Sequence, residues 1–353
     1  MKKLFLSLAI LALAVVACQN NDEVTPNQEA AIDMSDFFVY TSDDVSAKST
    51  KDANNGDKCH SMKVLNRQLQ ENPGLEQRMY EIEKHTRTLI ANKGVTANAK
   101  PGSGGGTTTP PPTPYAGAVT IPVVVNILED AAHPVSQAHI DSQIAILNQD
   151  FNNNNPKSVG VPAEFANLVA NVNITFVLNR VIRKTSIKAT WGTNDSMKFS
   201  SQGGIDATDT SNYLNIWVCE IGGGILGYAQ FPGGSTATDG VVIGSDYFGE
   251  NTKGGVYGHG RTATHEVGHW LNLRHIWGDG RCRQDDFVAD TPSSDGPNYA
   301  CPTYPTINCQ SADMTMNYMD YVYDDCMYMF SLGQNDRMRT IFASGGSRAS
   351  LVN

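Results

Sequence analysis

An α/β (α+β) fold is predicted for residues 116–353, on three observations. Residues 119–128 form a β-branched run, the pattern of a buried strand. Residues 136–151 place Ile140, Ile144, Leu147 and Phe151 at helical spacing, with Ser136 as N-cap. Strand-like segments then recur at 172–181, 214–219, 226–231 and 239–245, ahead of a second helix from about Arg261 to Leu273. Gly222-Gly223-Gly224 marks a loop between two of these strands. Beyond residue 278 the chain is rich in Asp, Pro, Cys, Tyr and Met with little periodicity, which predicts a loop-rich half. No internal repeat is present.

The first 115 residues are of other kinds. Met1-Lys2-Lys3 precedes an apolar run, residues 4–17, the length of a signal-peptide core and short for a membrane span. Small residues then lead into Cys18, and the chain turns polar at once. This resembles a bacterial lipoprotein processing site, which implies a signal peptide over 1–17 and lipidation of Cys18. Residues 18–56 are polar and aperiodic and predict a disordered tether. Residues 57–100 carry Val64, Leu65, Leu69, Leu75, Met79, Ile82, Leu89 and Ile90 at roughly helical spacing, split into two helices by Pro73. Residues 101–115 form a Gly/Thr/Pro linker, open to proteolysis.

The formal charge is −10, with 18% charged residues and no strong basic block, so a nucleic-acid partner is not expected. Seven cysteines are present. Cys282, Cys301, Cys309 and Cys326 crowd together without CxxC spacing, which in an exported chain predicts two disulfides, of unspecified pairing, over a second zinc site. Cys59 and Cys219 are left over.

The chemistry concentrates in His265-Glu266-Val267-Gly268-His269-Trp270-Leu271-Asn272-Leu273-Arg274-His275. His265 and His269 lie one helical turn apart on one face, with Glu266 beside the first as general base. His275 follows past a helix break. Three imidazoles leave a fourth coordination position open, as a catalytic zinc requires. Val267, Trp270, Leu271 and Leu273 are expected to pack the helix into its domain. His259 reads as an exposed loop histidine, and His60, His85, His133 and His139 have no motif context.

The pattern HExxHxxNxxH resembles that of the metzincin metalloproteases, whose usual form has Gly where Asn272 stands. Asn tolerates the left-handed conformation that this turn demands. Met319, within Asn317-Tyr318-Met319-Asp320-Tyr321, resembles the metzincin methionine turn. Tyr321 matches a tyrosine that in several of these families stands near the zinc, which implies a hydrogen bond to the oxyanion.

Together with residues 226–232 and 288–292, these motifs look like the pappalysin family over roughly residues 116–345. The resemblance implies a metzincin catalytic domain: a twisted mixed sheet and the zinc helix above, a disulfide-stapled half below. It also implies the disulfide pairs Cys282–Cys309 and Cys301–Cys326, and a structural calcium ion, for which Asp286 and Thr291 are the chosen ligands. Family members resemble a latent arrangement in which a pro-segment cysteine, here Cys59, fills the open zinc position, although His60 stands where the family often has Gly.

The expected function is that of an exported zinc endopeptidase acting on proteins or peptides, made as a latent precursor with residues 57–100 as pro-segment. It is expected to be monomeric and held to a membrane only through Cys18, as an outer-membrane or cell-surface lipoprotein, with the catalytic domain released after processing. Two rivals are a catalytically silent zinc-binding surface protein or adhesin, and a zinc amidase acting on cell-wall peptides.

Overall fold

The structure, a computed structural model, describes residues 32–40, 58–98 and 111–352. The signal peptide, Cys18 and most of the linker lie outside the described residues. The chain divides into two units, Met1–Asp33 and Met34–Asn353, and the second carries all that follows. Among the described residues no helix is long and apolar enough to cross a membrane.

Two helices come first, α1 (Ser61–Glu71) and α2 (Leu75–Asn98), separated as expected around Pro73. Strand β1 (Val119–Glu129) is buried along nearly its whole length. Helix α3 (Gln137–Phe151) starts at Ser136, whose hydroxyl accepts from the His139 backbone N–H. Strands β2 (Ile174–Thr185), β3 (Leu214–Cys219), β4 (Gly227–Ala229) and β5 (Val241–Gly244) complete a sheet of order β2-β1-β3-β5-β4. All neighbours are parallel except β4, which pairs antiparallel with β5 and forms one edge. The central strands β1, β3 and β5 are apolar nearly throughout, because helices and loops cover both faces of a largely parallel sheet.

Helix α4 (Arg261–Trp270) is buried at every residue. Asp150 of α3 holds it in place: its carboxylate accepts from Thr264 Oγ1 (2.7 Å) and Tyr318 Oη (2.8 Å) and pairs with Arg261. Below lie the short hairpin β6 (Ile307–Asn308) and β7 (Ser311–Ala312), then α5 (Leu332–Thr340). Cys282 is bonded to Cys309 and Cys301 to Cys326, the two pairs that the family resemblance implies.

Three expectations are corrected. Helix α4 ends at Trp270, three residues before the predicted Leu273. Helix α5 was not expected, because its buried positions include Gln334, Arg337, Arg339 and Thr340, which blur any apolar stripe. Its start was nonetheless written in Ser331 and Gln334, which form a capping box. The disordered tether over 18–56 is corrected at residues 34–40. There Phe37 packs edge-on against Tyr80, both Phe37 and Phe38 lie against Phe287, and Arg274 donates to the Phe38 carbonyl (2.6 Å). Isolated aromatics in a polar stretch carry no periodicity that would announce such contacts.

Candidate metal centre and active site

Helix α4 carries His265 and His269 on one face, and the chain must turn sharply to bring His275 to them. The turn is a Schellman ending: Leu273 N–H donates to the Gly268 carbonyl (3.0 Å) and Asn272 N–H to that of His269 (2.9 Å). Asn272 takes φ +75°, the left-handed region in which Asn is the tolerated substitute for Gly.

The three rings converge. His269 Nε2 lies 3.1 Å from His265 Nε2 and 3.2 Å from His275 Nε2. Each opposite ring nitrogen is tied: His265 Nδ1 to the Tyr318 carbonyl (2.7 Å), His269 Nδ1 to the Leu273 carbonyl (2.8 Å), His275 Nδ1 to Asp279. A carbonyl only accepts, so Nδ1 of His265 and of His269 bears the proton and their Nε2 atoms bear lone pairs. Burial, with the neighbouring His275, pushes His265 down to about 3, and burial pushes His269 well below its ordinary value, so both stay uncharged.

Lone pairs aimed at one another across such short distances repel unless a cation lies among them. Zinc–nitrogen bonds of about 2.0–2.1 Å at tetrahedral angles put nitrogens about 3.3 Å apart, close to the observed spacing. The donor set therefore fits zinc, and the carbonyls and Asp279 are the outer partners that orient ligating histidines.

A fourth donor completes the set. Cys59 Sγ lies 3.5 Å from His269 Nε2 and 3.5 Å from Glu266 Oε2, and the four side chains are buried together. Burial and the nearby Glu266 push its thiol well above the ordinary value, so ionisation there needs a compensating cation. The segment around Cys59 lies along β4. Leu226 N–H donates to the Lys58 carbonyl (3.0 Å), His60 N–H donates to the Gly227 carbonyl (3.1 Å), and Cys59 pairs with Gly227 in parallel. Gly227 is required here, since a Cβ would stand 2.8 Å from the Val242 carbonyl and 3.1 Å from Glu266 Cγ.

Sequence reasoning missed Ser61. Its hydroxyl donates to Glu266 Oε2 (2.7 Å) and accepts from Ala229 N–H (2.7 Å). A serine two residues after a cysteine is too common to signal this role. Tyr321 Oη donates to the Cys59 carbonyl (3.2 Å), and its ring lies edge-on to His275 (4.9 Å). Met319 packs beneath α4, where a Cβ on Gly268 would come 2.4 Å from its Sδ. A pocket opens beside Glu266, lined by Leu226, Tyr257, Thr262, Asp320, Val322 and Asp324.

Other expected residues lie elsewhere. His259 is outside the cluster, with Nδ1 2.9 Å from Glu250 Oε2. Asp286 and Thr291 do meet, but as partners of each other: Thr291 Oγ1 stands 2.9 and 2.8 Å from the two carboxylate oxygens. Cys219 is buried in β3 and joins no site.

A mixed sheet with an antiparallel edge strand, an adjoining helix bearing two histidines, a third histidine after a left-handed turn and a methionine beneath define the metzincin class of zinc peptidases. Residues 200–343 match the Peptidase_M43 family, described as pregnancy-associated plasma protein-A. An extracellular metalloprotease of Pyricularia oryzae is 32% identical over 244 residues, covering 64% of this chain and 76% of that protein. Mature mirolysin of Tannerella forsythia, solved with a cleaved peptide, is 43% identical with a TM-score of 0.65, covering 67% of this chain and 96% of that one. A point mutant of promirolysin from the same organism is 37% identical with a TM-score of 0.69, covering 84% of this chain and 97% of that one. The chain belongs to the pappalysin family and is a zinc-dependent metalloendopeptidase.

Proposed function

We propose that this chain is the latent precursor of an exported endopeptidase in which His265, His269 and His275 hold the zinc and Glu266 is the general base. The convergence of three imidazole lone pairs with Cys59 Sγ carries this reading. Zinc, when bound, polarises the scissile carbonyl and acidifies a water molecule. Glu266 Oε2 then accepts the water proton and delivers it to the leaving amine. Tyr321 Oη, which here donates to the Cys59 carbonyl, would donate to the substrate oxygen as it gains charge. Asp279 and the Tyr318 and Leu273 carbonyls keep the rings aimed throughout.

Latency follows from what fills the cleft. Cys59 takes the fourth position, Ser61 occupies the carboxylate of Glu266, and residues 58–61 use the backbone groups of β4 that a substrate would pair with. The match to promirolysin reaches over 84% of this chain and that to mature mirolysin over 67%, which supports reading residues 57–100 as the pro-segment and 101–115 as the release region of a 116–353 catalytic domain. The extracellular relatives support export. A signal peptide over 1–17, a lipid anchor at Cys18 and a monomeric state complete the proposal.

Calcium at Asp286 and Thr291 belongs to the proposal as well. Burial pushes the Asp286 carboxyl well above its ordinary value, a state that a divalent cation would reverse, although the Thr291 hydroxyl must first turn its proton away.

The test uses the full chain. Glu266→Gln should keep the zinc held by His265, His269 and His275 and lose peptide cleavage by a factor of at least about 100. Full activity in that variant refutes the assigned base, and cleavage lacking in the processed parent would leave a silent zinc-binding surface protein instead.

A further inference from the structure

A second constellation of metal-binding side chains stands apart from the histidine cluster. Strands β1, β3 and β5 are adjacent and parallel, and the segments leaving their carboxyl ends carry His133, Glu220 and Asp246 to one point. The carboxyl edge of a parallel sheet is where such folds gather ligands. From these residues the geometry points to a second divalent-cation site, one that binds zinc or a similar transition ion through His133 Nε2 and the carboxylates of Glu220 and Asp246.

The ring is oriented for the task. His133 Nδ1 lies 3.1 Å from Asp130 Oδ2, the carboxylate–histidine pairing that aims the other nitrogen of a ligating histidine. His133 Nε2 then faces Glu220 Oε2 at 3.9 Å and Asp246 Oδ2 at 3.9 Å. These distances exceed a hydrogen bond, and they are equal. The free ring nitrogen thus stands midway between two carboxylates, a position from which one ion could meet all three groups. Tetrahedral zinc ligands stand about 3.3 Å apart, and the three ligand atoms already lie within 4.8 Å of one another, so closing on an ion takes side-chain adjustments with no movement of the strands. The three side chains are each about a quarter exposed, which gives them that freedom and leaves coordination positions for water.

Charge favours a cation. Asp130, Glu220 and Asp246 crowd round one imidazole, and the lysine beside them, Lys253, donates to the Ala132 carbonyl. One imidazole with carboxylates suits a borderline ion such as Zn²⁺ over Ca²⁺, which prefers an all-oxygen shell. A bound ion would tie three loops together and stiffen the end of β5, the neighbour of edge strand β4. The inference does not depend on the roles proposed for Glu266 or Cys59.

The experiment is metal counting on the full chain equilibrated with zinc chloride and then desalted. We expect two zinc ions per chain by inductively coupled plasma mass spectrometry, and one in a His133→Ala/Asp246→Asn double variant. Should that variant not fold, Glu220→Gln keeps the side-chain shape and should weaken the second calorimetric binding event at least tenfold. Crystals of the parent should show an anomalous peak at the zinc edge between His133, Glu220 and Asp246. A single zinc per chain in the parent, two in the folded double variant, unchanged second-site affinity in Glu220→Gln, or no peak at that position each overturn the assignment.

Discussion

At the scale of the residue, the proposed latency rests on two side chains that fill the cleft by different chemistry. Cys59 offers sulfur to the metal position, and Ser61 offers a hydroxyl proton to Glu266 Oε2. A hydrogen bond to a charged group contributes about 1.5–3 kcal/mol, or roughly 10- to 150-fold in an equilibrium. Ser61→Ala should therefore raise the peptidase activity of the unprocessed precursor at least tenfold over parent, read before any cleavage of the linker. Cys59→Ala should speed self-activation further, since it also frees the metal position. A Ser61→Ala precursor as silent as its parent would show that the thiol alone keeps the enzyme latent.

At the scale of the element, the end of α4 sets the position of the third histidine. Asn272 at φ +75° permits the Schellman turn. Asn272→Gly should be tolerated, whereas Asn272→Ala removes the short polar side chain that makes the left-handed region accessible to Asn, costs about 1 kcal/mol or less and should lower zinc affinity as His275 drifts. Thermal melts with and without a chelator check both effects. Helix α2 docks through a buried pair: the Arg337 guanidinium donates to Glu83 (3.1 and 2.5 Å) and to the Asn272 carbonyl (2.8 Å). Opposed by its own burial, Glu83 is nonetheless held below the usual carboxylate range by Arg337. Glu83→Ala leaves Arg337 buried without its partner, which should destabilise the precursor by about 3–5 kcal/mol. The processed domain, which in our reading has already lost α2, should melt unchanged.

At the scale of the molecule, stability carries a pH signature. Asp324 accepts the backbone N–H groups of His259 (2.9 Å) and Arg261 (3.2 Å) at the start of α4, and burial raises its carboxyl to about 6. A carboxyl raised above its unfolded value of about 3.9 stabilises the fold fully below that value, and the contribution is lost as pH rises through about 6. Melting temperature should fall through this window on account of Asp324. Asp324→Asn, which keeps an accepting oxygen, should flatten that part of the curve; an unchanged slope would place the titration elsewhere.

Periodicity and motif chemistry in the sequence alone determined the class of fold, the strands β1, β3 and β5, the capped helix α3 and the three-histidine pattern with Glu266. These are local facts: the helical turn fixes how far apart His265 and His269 stand, and an unbroken β-branched run marks a strand buried on both faces. Helix α5 escaped because its buried face is polar, satisfied by partners distant in the chain. Ser61, Asp279 and the carbonyls of Tyr318 and Leu273 escaped because a hydroxyl, a carboxylate or a backbone oxygen gains its role only from what folding brings within about 3 Å. The same reason kept His133, Glu220 and Asp246 silent, since three neighbouring parallel strands, far apart in sequence, had to end at one edge before they could meet.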